Sequence, residues 1–187
     1  MTIRAFFAVE ISEKNILQQI EKLQKELELP DTRINFVAPK NLHFTLKFLG
    51  NIDESIITDL EKEAKKISFE KFEIELEGVG CLPGFHYINA IYIGVKQGLS
   101  ELSVIAKQLE GLSGLFNFKK ENRPFKAHLT IGRLKRVGNK NQLVEKIKSF
   151  EKENLGIVDI DSFVLKKSEL TPQGPIYTTV FEIESKK

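Results

Sequence analysis

The chain is poor in the residues that build disulfide frameworks and metal centres, with one cysteine and three histidines among 187 residues. Cys81 stands alone in "GVGCLPG", so no internal disulfide can form, which fits a reducing cytoplasm. With no histidine beside it, Cys81 reads as a small buried apolar residue. Long apolar runs are missing too, and none approaches the ~20 residues that cross a bilayer. The opening "MTIRAFFAVE" carries a basic residue and a short apolar run. Glu10 ends that run before a signal-peptide core can form, so a first strand is the better reading. Charge of one sign is scarce as well: a formal balance of +2 does not by itself imply a nucleic-acid partner, so distribution matters more than total. A soluble, cytoplasmic protein with no membrane partner is expected.

What is present is ordinary globular material, 41% hydrophobic and 29% charged, in one domain over 1–187 or two small lobes sharing a core. The β-branched and aromatic run "IRAFFAVEI" reads as a buried strand. A helix follows over about 12–27, with Ile16, Leu17, Ile20, Leu23 and Leu27 on one face and Ser12 as its N-cap, and Pro30 closes it. A strand over 41–49 is broken by Gly50-Asn51, and a helix from near Asp53 carries Ile56, Ile57, Leu60, Ala64 and Ile67. Strands over 70–79 and 87–95 span the turn-rich "CLPGF". Helix 99–112, strand 125–131, helix 140–150 and strands 157–167 and 176–184 complete the chain, the last two bracketing "TPQGP". Each half thus runs strand, helix, strand with histidine, helix, strand. The repeat of roughly 85 residues is too long, and present in too few copies, for a solenoid. An α+β protein of two related lobes facing each other is the expectation.

Two stretches stand out, "NLHFTLKFLG" at 41–50 and "FKAHLTIGR" at 125–133. Side chains alternate along a strand. Leu42, Phe44, Leu46 and Phe48 then share an apolar face, with His43, Thr45 and Lys47 opposite. The second stretch repeats this, with Phe125, Ala127, Leu129 and Ile131 inward and Lys126, His128 and Thr130 outward. One His-x-Thr is a common strand-surface pattern. Two copies in matching places, using two of three histidines, describe a shared site built on rigid strands. His86, in "PGFHYIN", has no partner pattern and reads as a loop residue.

Zinc normally takes three or four ligands with a carboxylate, thiolate or third imidazole among them, and no acidic residue accompanies either histidine. A threonine nucleophile would need a base poised on it. Two imidazoles near their unperturbed pKa of ~6.5 suit general base and general acid. Threonine hydroxyls and cations can hold anionic oxygens. Together these describe metal-free in-line displacement at a phosphodiester, with no cofactor.

The tetrapeptides "HFTL" and "HLTI" resemble the two His-x-Thr-x motifs of the 2H phosphoesterase superfamily. The blocks "RAFFAVEI", "NLHFTLKFLG", "FKAHLTIGR" and "LKKSELTPQGPIY" are similar to its bacterial and archaeal branch, the RNA 2′,3′-cyclic phosphodiesterases also called 2′-5′ RNA ligases. The resemblance spans essentially the whole chain. It implies a bilobal α+β fold of two pseudo-symmetric lobes, each with an antiparallel sheet and outer helices, around a central cleft. It also implies His43 as proton donor, His128 as proton acceptor, and Thr45 and Thr130 on phosphate oxygens; the two strands are too alike for the residues alone to assign donor and acceptor. Arg133 is expected to help hold the RNA phosphate. Lys47, Phe48 and Lys126 complete the expected substrate-binding set. Ala127 stands where relatives commonly carry proline, and Asn89 where several carry arginine.

The expected partner is RNA with a 2′,3′-cyclic phosphate end, tRNA fragments among the candidates, bound by a monomer. Lys119, Lys120, Arg123, Lys126, Arg133, Lys135, Arg136 and Lys140 against Glu121 make 119–140 a candidate RNA track. Two rival functions remain, a non-catalytic nucleotide-binding module and ATP-independent RNA ligation, the reverse reaction. No P-loop and no lysine-x-aspartate-glycine motif supports an ATP-dependent ligase.

Overall fold

The computed structural model of the chain describes residues 1–172 and 174–186. Among the described residues nine strands are joined by antiparallel pairing: β1 (Thr2–Glu10), β2 (Arg33–Phe36), β3 (His43–Asp53), β4 (Phe72–Gly84), β5 (Tyr87–Gln97), β6 (Leu129–Arg136), β7 (Asn154–Ile160), β8 (Ser162–Thr171) and β9 (Gly174–Glu184). The helices are α1 (Lys14–Glu26), α2 (Ile57–Ala64), α3 (Leu99–Gly111), the short α4 (Ser113–Phe116) and α5 (Lys140–Ser149). The strand order is β7-β4-β5-β6-β3-β1-β8-β9, with β2 added along the outer part of β6. The α+β expectation with two related halves matches this architecture, in which the motif strands β3 and β6 are central neighbours.

Each half of the sheet carries one motif strand, and the halves meet at a single bridge between Phe44 and Leu129. The helices exchange sides. α1 follows β1 yet packs on β7 and β6 of the other half, while α3 follows β5 and packs on β3. One face of the sheet and the helices enclose the main core, where Phe7, Phe44, Phe163, Ile91 and Ile93 are sealed from solvent. Burying a side chain of this size contributes ~1.5–3 kcal/mol. On the opposite face lies a small cluster of Phe6, Ala8 and Val164, flanked by Tyr177.

Several boundaries differ from the sequence reading for identifiable reasons. α1 begins at Lys14 with Glu13 at its N-cap, so Ser12 stands outside the helix and its N–H bonds the Glu13 carboxylate. Gly50 does not end β3: at φ 74° it stays paired with Ala5. Asp53 caps a 3₁₀ turn, accepting from the Ser55 N–H at 2.9 Å, before α2 starts. The expected strand 157–167 is two strands, because the chain changes neighbours around Asp161: Ile160 pairs with Phe72 on β4 and Ser162 with Glu184 on β9. β6 starts at Leu129 rather than 125 and runs on to Arg136, since β2 supplies its outer partner. The "TPQGP" turn includes Gln173, outside the described residues. Among the described residues no helix is long and apolar enough to cross a membrane.

Candidate active site

His43 and Thr45 on β3, and His128 and Thr130 at and just inside the start of β6, flank the Phe44–Leu129 bridge. The inward residues Phe44, Leu129 and Ile131 are fully buried and the four motif side chains are half-buried, as alternation requires. Ala127 is in the core, 7% exposed.

Both imidazoles are held in the same way. Nδ1 of His43 lies 2.7 Å from the carbonyl oxygen of Asn41, and Nδ1 of His128 lies 2.7 Å from that of Lys126. A carbonyl only accepts, so Nδ1 donates in each ring and Nε2 is left for chemistry. Rings fixed by such contacts are pre-oriented rather than free rotors.

Beyond each threonine the simple alternation stops. In β3, Thr45 pairs with Ala8 and Lys47 with Phe7, so Leu46 is an extra residue; in β6, Thr130 pairs with Tyr92 and Gly132 with Ile91, so Ile131 is extra. A bulge of this kind shifts every later side chain to the other face. Phe48 therefore lies opposite Phe6, and Arg133 opposite Ala90, each on the same face as its own histidine. Both are exposed. The bulge pair makes Phe48 and Arg133 equivalent positions in the two halves.

The same bulge overturns the expectation for Lys47. Its side chain is 1% exposed and turns into the interior, where Nζ donates to Glu110 Oε2 at 2.7 Å and to the Lys119 carbonyl at 3.3 Å. Lys47 is thus not on the face of His43 and Thr45. The buried cation on that face is Lys166 of β8, which pairs with Glu10 and donates to Thr179 Oγ1 at 3.2 Å. Glu10 is the cross-strand partner of His43.

Aromatic rings flank both imidazoles, two at His43 and one at His128. Phe6 lies 4.9 Å from the His43 ring and Tyr177 lies 5.3 Å away, edge-on; Tyr92 lies 5.8 Å from the His128 ring. Lys126 is exposed and places Nζ 5.7 Å from the Tyr92 ring centre. Burial holds the His43 imidazole below its ordinary pKa; the Asn41 carbonyl opposes this, Lys166 adds to it, Glu10 opposes it and Arg133 adds to it. Burial likewise pushes the Tyr177 phenol up, against the pull of Arg133 and Arg4, so it stays neutral at physiological pH.

Phe6, Glu10, Tyr92, Lys166 and Tyr177 escaped the sequence reading, which had no signal to place β1, β5, β8 and β9 around the motif strands. His86 sits in the exposed turn between β4 and β5, as expected. Of the basic run, Lys119, Lys120, Arg123, Lys126, Arg133 and Lys135 are exposed; Arg136 bonds Asp31 and Lys140 bonds the His86 carbonyl. Asn89 is exposed at the irregular end of the β4–β5 ladder. Among the described residues no group of three or more His, Cys, Asp or Glu side chains is placed to hold a metal ion.

The family model described as "LigT like Phosphoesterase" matches residues 9–92 and again 93–177. A protein of Methanothermobacter thermautotrophicus named RNA 2′,3′-cyclic phosphodiesterase is 35% identical over 180 residues, covering 95% of this chain and 96% of that one. One of the same name from Archaeoglobus fulgidus is 35% identical over 175 residues, covering 94% and 96%. The crystal structure of E. coli LigT complexed with 3′-AMP shares the fold across 100% of both chains, with a TM-score of 0.81 at 23% identity.

Proposed function

Because the chain belongs to the LigT-like phosphoesterase family, we propose that it is a hydrolase that opens 2′,3′-cyclic phosphate ends of RNA to 2′-phosphomonoesters. The observation that carries the reading is the matched presentation of two imidazoles, each with Nδ1 tied to a carbonyl at 2.7 Å and Nε2 left for the substrate. His128 takes a proton from a water as its oxygen bonds to phosphorus in line. The bond from phosphorus to the 3′-oxygen breaks, and His43 gives that oxygen its proton, leaving the phosphate on the 2′-oxygen. Thr45, Thr130 and Arg133 hold the non-bridging oxygens, where charge is greatest in the transition state. Phe48 offers an aromatic surface to the terminal nucleoside, and Lys126 with its exposed basic neighbours serves the RNA backbone. No metal or cofactor takes part in this scheme, and a monomer acting in the cytoplasm completes it.

The test is turnover of an oligoribonucleotide ending in a 2′,3′-cyclic phosphate, with EDTA present and with or without a 5′-hydroxyl acceptor strand. The expected product is the 2′-phosphate, at a rate unchanged by chelation. A joined strand as the main product would make ligation the function. Binding without turnover would make the protein a nucleotide-binding module, and a rate lost to EDTA and restored by zinc or manganese would overturn the metal-free mechanism.

A further inference from the structure

We propose that the Lys47–Glu110 ion pair is a clasp for the basic segment 119–126, making Lys47 a positioning residue for RNA rather than a phosphate ligand. Lys47 and Lys166 are the buried cations among the described residues, and Lys47 faces away from the catalytic groups. Its Nζ reaches Glu110 at 2.7 Å and the Lys119 carbonyl at 3.3 Å. The other carboxylate oxygen of Glu110 accepts from the Glu121 N–H at 3.2 Å and from the Ser113 hydroxyl at 3.3 Å. A first-half strand and a second-half helix thus grip the segment at two nearby points. Burial alone would raise the Glu110 carboxyl pKa, but Lys47 and the Glu121 N–H outweigh it and keep the group ionised.

The segment needs such a grip. It has no helix or strand of its own, yet it exposes Lys119, Lys120, Arg123 and Lys126 and leads into His128, whose Nδ1 bonds the Lys126 carbonyl. The position equivalent to Lys47 in the other half is Gly132, and there β2 covers it: a Cβ at Gly132 would meet Ile34 Cγ2 at 2.7 Å. Strand pairing secures the covering chain in that half; in this half an ion pair of the buried Lys47 with the half-buried Glu110 does so. Such a pair stabilises no better than apolar residues of the same size. What it supplies here is direction, through hydrogen bonds aimed at the segment's backbone.

This inference rests on reading the exposed cations as an RNA surface, so the test separates the two. The double variant K47M/E110L keeps the interior filled, and E110Q serves as a second variant if the first does not fold. Exchange of the Glu121 amide, whose proton Glu110 accepts, should quicken at least about tenfold while β3 and β6 stay protected. KM for a cyclic-phosphate oligoribonucleotide should rise about tenfold at unchanged kcat, as for the loss of a phosphate contact or two. Kinetics on a 2′,3′-cyclic mononucleotide should stay within about twofold. Unchanged exchange at the Glu121 amide would overturn the clasp. Faster exchange with an unchanged oligonucleotide KM would overturn its role in RNA binding while leaving the hydrolase reading intact. An equal loss of kcat on the mononucleotide would overturn the role in RNA binding and make the clasp a support for His128 through the Lys126 carbonyl.

Discussion

At the scale of single residues, His43 and His128 are alike in sequence and in their Nδ1 contacts but differ in surroundings. Burial and the cations Lys166 and Arg133 disfavour the protonated form of His43. A proton donor must be protonated, so in the free protein the alkaline fall of kcat/KM should begin below the ordinary imidazole range. Removing a neighbouring positive charge favours protonation, so Lys166→Met should move that limb to higher pH, a shift that NMR titration of the His43 ring would also read. The same depression links His43 to stability. In the window below ~6.5 the unfolded chain binds more protons at this ring, so its contribution is present above that pH and lost on acidification. Arg133 belongs to the same neighbourhood. Arg133→Ala should weaken binding of cyclic-phosphate RNA and reduce the slope of log affinity against log salt by about one. An unchanged salt slope, read by titrations at several ionic strengths, would leave the basic run a solvated face.

Among elements, the two bulges decide which side chains reach the site. Strict alternation in "HFTLKF" puts Lys47 beside Thr45 and Phe48 in the core; the extra residue Leu46 reverses both. That reversal was not legible locally, because a bulge is set by the register of the partner strand, here β1, and not by the propensity of the bulged residues. The motif residues before the bulge, His43, Thr45, His128 and Thr130, were legible because nothing interrupts their alternation. Helix faces were legible too: Ile16, Ile20 and Leu23 are buried as the period of α1 requires. The partner of each helix was not, since the exchange of α1 and α3 between halves depends on contacts far apart in the chain. Gly132→Val tests the second bulge. A Cβ there would lie 2.7 Å from Ile34 and 3.2 Å from Phe36, so the variant overpacks the β2–β6 contact. A loss of about 1–3 kcal/mol is expected in urea unfolding, with a fall in kcat/KM as Arg133 shifts.

For the whole molecule, a duplicated unit brings two strands of the same His-x-Thr pattern together at one bridge, so neither half holds both imidazoles. This arrangement makes the catalytic claim sharply testable. General acid or base catalysis by one group contributes ~10²–10⁴-fold. His43→Ala and His128→Ala should therefore each lower kcat by about that factor, and the double variant by less than the product, since the two rings act as a unit. The decisive measurement is the pH–rate profile of each single variant on a 2′,3′-cyclic phosphate substrate. The full protein should give a bell, His43→Ala should lose its alkaline limb and His128→Ala its acid limb. Near-normal turnover with both limbs intact in either variant would contradict the two-histidine site.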